Sequence, residues 1–415
     1  MKLSFKTPND GHYFFGYYDK SPFDISGDKL LACKPEFIDR EPLENDVLEI
    51  GYFNWKKGNE FKKISSTKAW NWQQGCMLQW FGPDYNKKII FNDIRDGKFS
   101  TVICDINESN EKTYPIAYYC LSKNSDFALC IDNERHYWFR DGYNYKGIAN
   151  PNKNSNIDYE DGIWKLDFES SNIDKIISFK ELFEFNQVSS MHNSVHYIEH
   201  LMLNPSGSHF IFLHRWKMES GDIYTRLYSA KVDGSELRLL NDSGRMSHFC
   251  WMDNENILGW GGISNPVNKL RKYKSLVKYF IKPLVPIYKC LSSGNANIVN
   301  LVSGDSYIVI NRETSKIQRL FTEQLKYDGH PSFLKEKKNI FVTDHYPNEN
   351  NQYTQNLYLV DMSNDKVEVI DTIEHSPIFA STTCRSDLHP KVSLTGDYIS
   401  VDTLENDIRA MRVYE

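Results

Sequence analysis

The sequence lacks a long apolar segment, a secretory leader and paired cysteines. No stretch of about 20 apolar residues, the length that spans a bilayer, occurs among its 415 residues, so no membrane-spanning helix is predicted. The opening residues MKLSFKTPNDGHYFF contain no continuous apolar run of the secretory kind, which predicts a cytoplasmic location. The eight cysteines form no C-x-x-C pair, and they are expected to be buried free thiols rather than disulfides.

An excess of basic charge is also absent. The net charge is −6 at pH 7, whereas a dedicated nucleic-acid-binding protein has a basic surface. No nucleic-acid partner is therefore predicted. An anionic ligand would have to meet a local cluster of basic residues.

What the sequence has instead is a short phrase that occurs seven times. Each copy is a turn rich in Gly, Asn, Asp or Lys that runs into a hydrophobic strand. The copies begin at Phe23, Trp80, Leu121, Leu203, Trp251, Phe333 and Ser393. Repeats of roughly 40 to 50 residues that each hold a strand pair indicate blades around an axis. The prediction is an all-β fold, with a single seven-bladed β-propeller domain over residues 1–415.

Three segments depart from this repeated turn and strand pattern. Residues 141–160 predict a long loop, and residues 178–185 (SFKELFEF) predict one or two helical turns. Between residues 266 and 300 apolar residues recur at helical spacing among seven cations. This basic amphipathic helical insertion is either a solvated helix at the propeller edge or a surface, over residues 267–292, that docks on an anionic membrane or an acidic partner.

Histidine and arginine residues collect directly before or after the repeated phrases. His200 precedes one copy, Arg215 follows it, and His330 and His389 each precede a proline ahead of another. Because each repeat places equivalent positions at equivalent heights, these side chains are predicted to converge at one end of the axial channel. The alternative for any single histidine is a hydrogen-bonded structural residue.

An ordered set of motifs covers nearly the whole chain. It consists of GHYFFGYYDKSPFDISGDKLLA, AWNWQQGCMLQW with IIFNDIRDG, HLMLNPSGSHFIFLHRW with SHFCWMDNENILGW, DGHPSFL with VTDHYP, and RSDLHPKVSLTGDYISVD. With these motifs the chain resembles the seven-bladed propeller polysaccharide lyases, which cleave uronic-acid-containing glycans. The group includes ulvan lyases and rhamnose-glucuronate lyases, with oligogalacturonate lyases as more distant relatives.

The resemblance implies β-elimination, in which a base removes the C5 proton of a uronate while positive charge neutralises the carboxylate and the 4-oxygen leaves. Neutralisation is worth most in a partly desolvated site. Arg95, in NDIRDG, is predicted to provide it because a guanidinium grips a carboxylate with two parallel hydrogen bonds. The alternative is a surface arginine paired with Asp93 or Asp96.

The resemblance also implies a catalytic acid and base from the first two blades. His12 lies in the matching opening motif, with Tyr17 or Tyr18 beside it. Lys34 stands where a second histidine is expected, and Gln79 where a tyrosine is expected. Lys34 either takes part in proton transfer or binds a carboxylate while His12 alone transfers the proton.

The resemblance implies a metal site of which two thiolate ligands are missing here. Similar lyases carry two cysteines consistent with a structural zinc, and here these positions are Pro331 and Ser386. No cofactor is therefore firmly predicted, and zinc is the candidate ion. The residues that could still gather it are Cys384, His248, His330 and His389. The alternative for the last two is a role as hydrogen-bonded rim residues.

The predicted substrate-binding residues come from several blades. They are Tyr17, Trp72, Gln73, Gln74, His196, His200, Arg215, His248, His330, Arg385 and His389. Trp72 is predicted either to stack on a sugar or, like Trp70 and Trp80, to pack in the core. Four aspartates are predicted to fix loops rather than to act in catalysis, namely Asp19, Asp93, Asp344 and Asp402.

Two functions are compatible with these features. The first is a lyase that cleaves a uronate-containing oligosaccharide. The alternative is a non-catalytic propeller that binds a glycan or glycolipid in surface-polysaccharide assembly at the inner membrane face, which the basic insertion favours. A protein-interaction propeller is a further possibility, and it predicts a rim without convergent histidines and arginines.

Overall fold

The computed structural model describes residues 1–415 except 109, 140–141, 144, 151, 153, 264–303, 335–336 and 338. Within these residues, 27 strands form seven sheets. The protein is an all-β, seven-bladed propeller, and the predicted fold class is confirmed. The basic insertion predicted at residues 266–300 lies outside the described residues.

The chain divides into two compact units. Unit 1 comprises Met1–Pro151, Leu166–Asn172 and Gly329–Glu415, and unit 2 comprises Asn152–Lys165 and Ile173–Asp328. The prediction of one domain over the whole chain stays a prediction.

In the described part of unit 1, most strands are short and one α-helix is present. Its elements are β1 (Leu3–Lys6), β2 (Leu30–Lys34), β3 (Leu48–Phe53), β4 (Phe61–Thr67), β5 (Gln79–Phe81), β6 (Lys88–Arg95), β7 (Lys98–Asp105), β8 (Glu111–Tyr114), β9 (Tyr118–Leu121), β10 (Phe127–Cys130), α1 (Asn133–Phe139), β21 (Ser332–Phe333), β22 (Ile340–Thr343), β23 (Thr354–Asp361), β24 (Lys366–Glu374), β25 (Lys391–Val392), β26 (Ile399–Glu405) and β27 (Ile408–Tyr414). They form sheets β2–β3–β4, β5–β6–β7–β8, β21–β22–β23–β24 and β1–β27–β26–β25. The N-terminal strand therefore completes the sheet of the C-terminal strands, with Lys6 opposite Arg412.

Unit 2 has longer strands. Its elements are β12 (Ile173–Ser178), α2 (Phe179–Glu184), β13 (Val195–Leu203), β14 (His209–Lys217), β15 (Ile223–Lys231), β16 (Arg238–Gly244), β17 (Met246–Trp251), β18 (Asn256–Gly262), β19 (Asp305–Asn311) and β20 (Ile317–Leu320). Two sheets have the orders β13–β14–β15–β16 and β17–β18–β19–β20. The remaining sheet of the protein includes β11 (Gly162–Asp167) and has the order β12–β11–β10–β9.

The seven repeated phrases lead into the second strand of the blades or, in the three-stranded sheet, into β2. In the copy between β13 and β14, the Asn204 side chain accepts hydrogen bonds from the N–H groups of Ser208 and His209 at 2.9 and 3.1 Å. Asp24 closes the first copy in the same way. Short polar side chains are favoured in turns because they bond to the backbone a few residues on. This local chemistry explains why the phrase recurs once in each blade.

Several local predictions are confirmed. The helix α2 lies within residues 178–185 and begins with a capping box, because Ser178 accepts from the N–H of Glu181 and Glu181 accepts from that of Ser178. The seven described cysteines are buried and none forms a disulfide. Trp70, Trp72 and Trp80 are buried in the core of unit 1. Among the described residues, no helix has the length and apolar character needed to cross a membrane.

Candidate functional site

Two predicted histidines come together in unit 1. His330 and His389 each lie two residues before the first strand of a sheet, β21 and β25 respectively. Their ring centroids are 4.3 Å apart, and both side chains are buried. The same position in two repeats therefore supplies both rings, as the repeat pattern predicts.

Asp387 completes a cluster with these histidines, named here the cation cluster (His330, Asp387 and His389). One ligand atom of each residue lies within 4.8 Å of those of the other two. Two imidazoles and a carboxylate suit a divalent ion such as Zn²⁺, Mn²⁺ or Fe²⁺. Asp387, rather than a thiolate, is the third member.

Hydrogen bonds around the cation cluster set the tautomers of its rings. Nδ1 of His330 lies 2.9 and 3.0 Å from the carboxylate oxygens of Asp344, and Nδ1 of His389 donates to the carbonyl of Gly16 at 3.1 Å. In neutral rings, both Nε2 atoms then carry the lone pair that a metal needs. The residues present therefore fit a divalent cation.

Asp344 also binds backbone. It accepts the N–H of His330 at 2.8 Å and the N–H of His389 at 3.1 Å. Burial raises the pKa of Asp344, but the charge and hydrogen bonds of His330 and the hydrogen bond of His389 outweigh this, so its pKa lies below the ordinary value. The loop-fixing role predicted for Asp344 is confirmed.

Aromatic rings and an arginine border the cation cluster. The Tyr17 ring lies 5.2 Å from that of His389, and the Tyr18 ring 5.3 Å from that of His330. Arg385 donates two hydrogen bonds to Asp387, at 2.6 and 3.0 Å, and stacks on Tyr346. A carboxylate has lone pairs for both a guanidinium and a metal, so Arg385 can orient Asp387.

Unit 2 contains a second group of predicted residues, named here the arginine–histidine cluster (Glu199, His200, Arg215, His248 and Asp328). The Arg215 Nε atom lies 2.7 Å from Glu199, and Nε2 of His200 lies 3.6 Å from the same carboxylate. The rings of His200 and His248 are 5.8 Å apart, and Nδ1 of His248 lies 3.2 Å from Asp328. The predicted residues His200, Arg215 and His248 therefore come together.

Irregularities in two strands place these histidines. The register of β13 shifts between Glu199 and Met202, and that of β17 shifts between Met246 and Phe249. His200 lies in the first irregularity with a φ of +56°, a conformation that costs a non-glycine residue about 1–3 kcal/mol. Bulges re-aim side chains next to active sites, which supports a functional role for this cluster.

A cavity of about 250 Å³ adjoins the arginine–histidine cluster. Its walls include Arg215, Arg245, Asp328 and Trp260. Asp305 lines it too, so two arginines, two aspartates and the indole of Trp260 lie in its walls. A guanidinium can bind a carboxylate with two parallel hydrogen bonds, and an indole can pack on an apolar face.

The three predicted catalytic residues have other surroundings. Arg95 lies 2.8 Å from Asp93 and 3.0 Å from Glu111 at the end of β6. Nδ1 of His12 accepts the N–H of Arg409 at 3.4 Å, and burial together with the Arg409 charge lowers the pKa of His12. The structure therefore pairs Arg95 with acids, while the catalytic roles of all three remain predictions.

Lys34 lies beside the two chain neighbours of His12, Gly11 and Tyr13. Its ammonium lies 5.5 Å from the centre of the Tyr13 ring and 5.8 Å from that of Phe61. A side chain added at Gly11 would come within 2.9 Å of the Lys34 Cε atom. Lys34 therefore packs against aromatic rings beside the opening motif.

The other predicted binding residues make contacts within their units. The Trp72 indole donates to the carbonyl of Arg40 at 2.7 Å, and Gln73 and Gln74 donate to the carbonyl of Arg385 and to Tyr119 respectively. Nδ1 of His196 lies 2.9 Å from His214, and its Nε2 donates to the carbonyl of Met191 at 2.8 Å. Both ring nitrogens of His196 are therefore engaged inside unit 2.

Four acidic members of the two clusters and their surroundings were not predicted as site residues. They are Glu199, Asp328, Asp344 and Asp387. The spacing Asp387-Leu388-His389 was an available signal, because alternate residues of an extended segment point to the same side. The other three acids have no comparable signal in the sequence.

Comparison with known proteins shows the fold. No protein-family profile matches the sequence, and no curated protein matches it. The chain is similar to oligogalacturonate lyase from Vibrio parahaemolyticus, with a TM-score of 0.57 and 11% identity over 98% of this chain and 91% of that one. It is also similar to a puromycin-hydrolyzing peptidase from Mycobacterium tuberculosis, with a TM-score of 0.51 and 11% identity over 98% of this chain. It spans about half of that peptidase, 53%.

Proposed function

We propose that the protein is a carbon–oxygen lyase that cleaves a uronate-containing oligosaccharide by β-elimination. The observation that carries the proposal is the arginine–histidine cluster, in which Arg215 and Asp328 line one cavity and Asp328 contacts Nδ1 of His248. β-Elimination needs a positive charge and a base, because the proton at C5 is only weakly acidic until the adjacent carboxylate is neutralised.

In this proposal His248 takes the C5 proton. Its Nδ1 donates to Asp328, so Nε2 carries the accepting lone pair, and the carboxylate stabilises the imidazolium that forms. The electron pair of the C5–H bond becomes the C4–C5 double bond. The bond from C4 to the glycosidic oxygen breaks, and that oxygen takes a proton from water.

Arg215 binds the substrate carboxylate. Its Nε faces Glu199, and one Nη donates to the carbonyl of Met246 at 3.3 Å. A guanidinium has five N–H groups in a planar fork, which leaves donors for a second carboxylate. Because Arg215 is only 8% exposed, its charge acts with little screening by water.

A divalent cation in unit 1 is a separate part of the proposal, and no step of the elimination is assigned to it. His330, Asp387 and His389 would hold it, and Asp344 and Gly16 orient the two rings. When bound, such an ion would supply positive charge that polarises an oxygen atom. Arg385 keeps Asp387 in place through its two hydrogen bonds.

The substrate is an anionic oligosaccharide. The similarity to an oligogalacturonate lyase agrees with this class but extends to the fold alone. Ulvan and rhamnose-glucuronate substrates, which the sequence motifs suggest, belong to the proposal too. A cytoplasmic location and peripheral membrane contact through residues 267–292 remain predictions.

The test is the ultraviolet absorbance of the unsaturated product on a panel of ulvan, rhamnose-glucuronate and galacturonate oligosaccharides. We expect the absorbance to rise with the wild type, and the rate of this rise to be at least about 100-fold lower for His248→Gln. His209→Gln is the control, because His209 lies in the same unit and pairs with Glu236.

A wild-type rate in His248→Gln would overturn the proposed base. A flat trace with the wild type across the panel, together with glycan or glycolipid binding, would overturn the lyase and support the non-catalytic propeller.

A further inference from the structure

A buried ion pair, formed by Lys391 and Asp402, lies close in the chain fold to His389 of the cation cluster. The Lys391 ammonium is 3.0 Å from a carboxylate oxygen of Asp402, and the Lys391 side chain has no exposed surface. Lysine is almost never fully buried unless it is paired. Burying both charges carries a desolvation cost that replacement by apolar residues would avoid, so the pair calls for a specific role.

Asp402 attaches the N-terminal segment to the last sheet. Its two oxygens accept the N–H groups of Phe15 and Gly16 at 3.1 and 3.0 Å. Gly16 has a φ of +119°, and a Cβ there would lie 2.7 Å from the backbone of Gln74. Only glycine fits this position. The peptide of residues 15–16 is therefore held by Asp402 on one side and packed against the Gln74 backbone on the other.

The carbonyl of the same glycine bonds to a proposed metal ligand. Gly16 accepts a hydrogen bond from Nδ1 of His389 at 3.1 Å. This bond sets the tautomer in which Nε2 carries the lone pair that a metal ligand uses. A continuous path therefore runs from Lys391 through Asp402 and Gly16 to His389.

We propose that Lys391 and Asp402 are positioning residues for a divalent cation. They hold the Gly16 carbonyl where it orients His389, so that cation binding and attachment of residues 15–16 strengthen each other. Such coupling is reciprocal by thermodynamic necessity. The inference rests on the cation cluster of the proposed function, and it does not depend on the lyase reaction.

Other contacts keep the N-terminal segment in place when this pair is removed. Strand β1 pairs with β27, and the N–H groups of Thr7 and Tyr13 donate to the carbonyls of Met411 and Arg409. The ion pair can therefore be replaced without detaching the segment. Both partners must be changed together, because removing one leaves a buried unpaired charge.

The test compares the double variant Lys391→Met/Asp402→Asn with the wild type in cobalt(II) titrations followed by visible absorption. We expect about 10- to 100-fold weaker binding, the usual effect of losing a partner that orients a metal ligand. Arg412→Met/Asp371→Asn is the control. It removes another ion pair, whose charged atoms are 2.9 Å apart and whose arginine lies in β27 of the same sheet.

Amide hydrogen exchange gives a second readout that a purely structural role would not move. We expect cobalt(II) to slow exchange at Phe15 and Gly16 in the wild type and in the control, and not in the test variant. Two results would overturn the inference. One is wild-type cobalt(II) affinity in a folded test variant, and the other is amide exchange at Gly16 of the wild type that cobalt(II) does not slow.

Failure of cobalt(II) to bind the wild type would overturn this inference and the cation cluster together. Product absorbance tests the elimination reaction separately, so the two failures can be told apart. Should Lys391→Met/Asp402→Asn not fold, Asp402→Glu tests the same path, because it keeps the charge and displaces the carboxylate. Weaker cobalt(II) binding by Asp402→Glu would support the inference, and unchanged binding would overturn it.

Discussion

Oδ1 of Asp344 lies 2.9 Å from Nδ1 of His330, and that carboxylate also accepts the backbone N–H of His330 and of His389. One side chain thus fixes both histidines of the cation cluster. Removing such a partner weakens metal binding without removing a ligand. Asp344 should therefore matter for cation affinity even though the proposed ion does not touch it.

The first prediction is that Asp344→Asn weakens cobalt(II) binding about 10- to 100-fold. The amide keeps the size of the side chain but offers one acceptor oxygen where the carboxylate offers two. Calorimetric titration measures the affinity. Asp361→Asn, at the end of β23 in the same unit, where the side chain accepts the N–H of Ser363, should bind cobalt(II) like the wild type. Equal affinities for the wild type and a folded Asp344→Asn would contradict the prediction.

The second prediction concerns the proposed base. Asp328→Asn removes the negative charge 3.2 Å from Nδ1 of His248, so neither the tautomer nor the imidazolium is stabilised. We expect kcat for product formation to fall by about 10²- to 10⁴-fold, with a small change in KM.

Steady-state kinetics on the active oligosaccharide measures both constants. Asp233→Asn, an exposed turn carboxylate of unit 2 that bonds to Ser235, is the matched control. A loss confined to KM would indicate that Asp328 binds substrate and does not orient His248.

The third prediction separates the sequence-based role of Arg95 from its observed pairing. Its guanidinium faces Asp93 and Glu111, and the side chain is 38% exposed. Exposed ion pairs contribute about 0–1 kcal/mol. We therefore expect Arg95→Ala to keep the wild-type kcat/KM and to lose less than about 1 kcal/mol of unfolding free energy. A fall in kcat/KM with unchanged stability would restore Arg95 as the carboxylate clamp.

The blades could be predicted from the sequence because the turns that mark them involve only residues close together in the chain. A turn such as the one closed by Asn204 needs only a few adjacent residues, so each copy is readable without knowledge of the rest of the chain. The capping box of Ser178 and Glu181 is equally local.

Residues of the candidate site were harder to predict because their contacts join distant segments. His330 and His389 were found from their equivalent places in two repeats. Asp328 was missed, because its contact with His248 spans 80 positions of the chain. Arg95 was selected for its chemistry alone, and nothing in NDIRDG indicates that Glu111, two strands away on β8 of the same sheet, would pair with it.

The buried pair His196 and His214 in unit 2 leads to a prediction about the free energy of unfolding. Nε2 of His196 donates to the Met191 carbonyl, so its Nδ1 accepts from Nε2 of His214 at 2.9 Å. The ring of His214 is surrounded by Phe179, Trp216 and Tyr228. Burial, and then the charges of His196 and Arg226, lower the pKa of His214 well below its ordinary value.

The last prediction is a loss of stability in acid that depends on His214. A histidine whose pKa is lowered by folding stabilises the protein fully above the unfolded pKa of about 6.5. That contribution is lost as the pH falls toward the folded pKa, by up to about 1.4 kcal/mol per pH unit for one proton. We expect thermal unfolding of the wild type to show this decline below about pH 6.5, and His214→Gln to show a shallower one. His192→Gln, at an exposed position of the same unit, should follow the wild type. Parallel curves for the wild type and His214→Gln would mean that other groups cause the acid sensitivity.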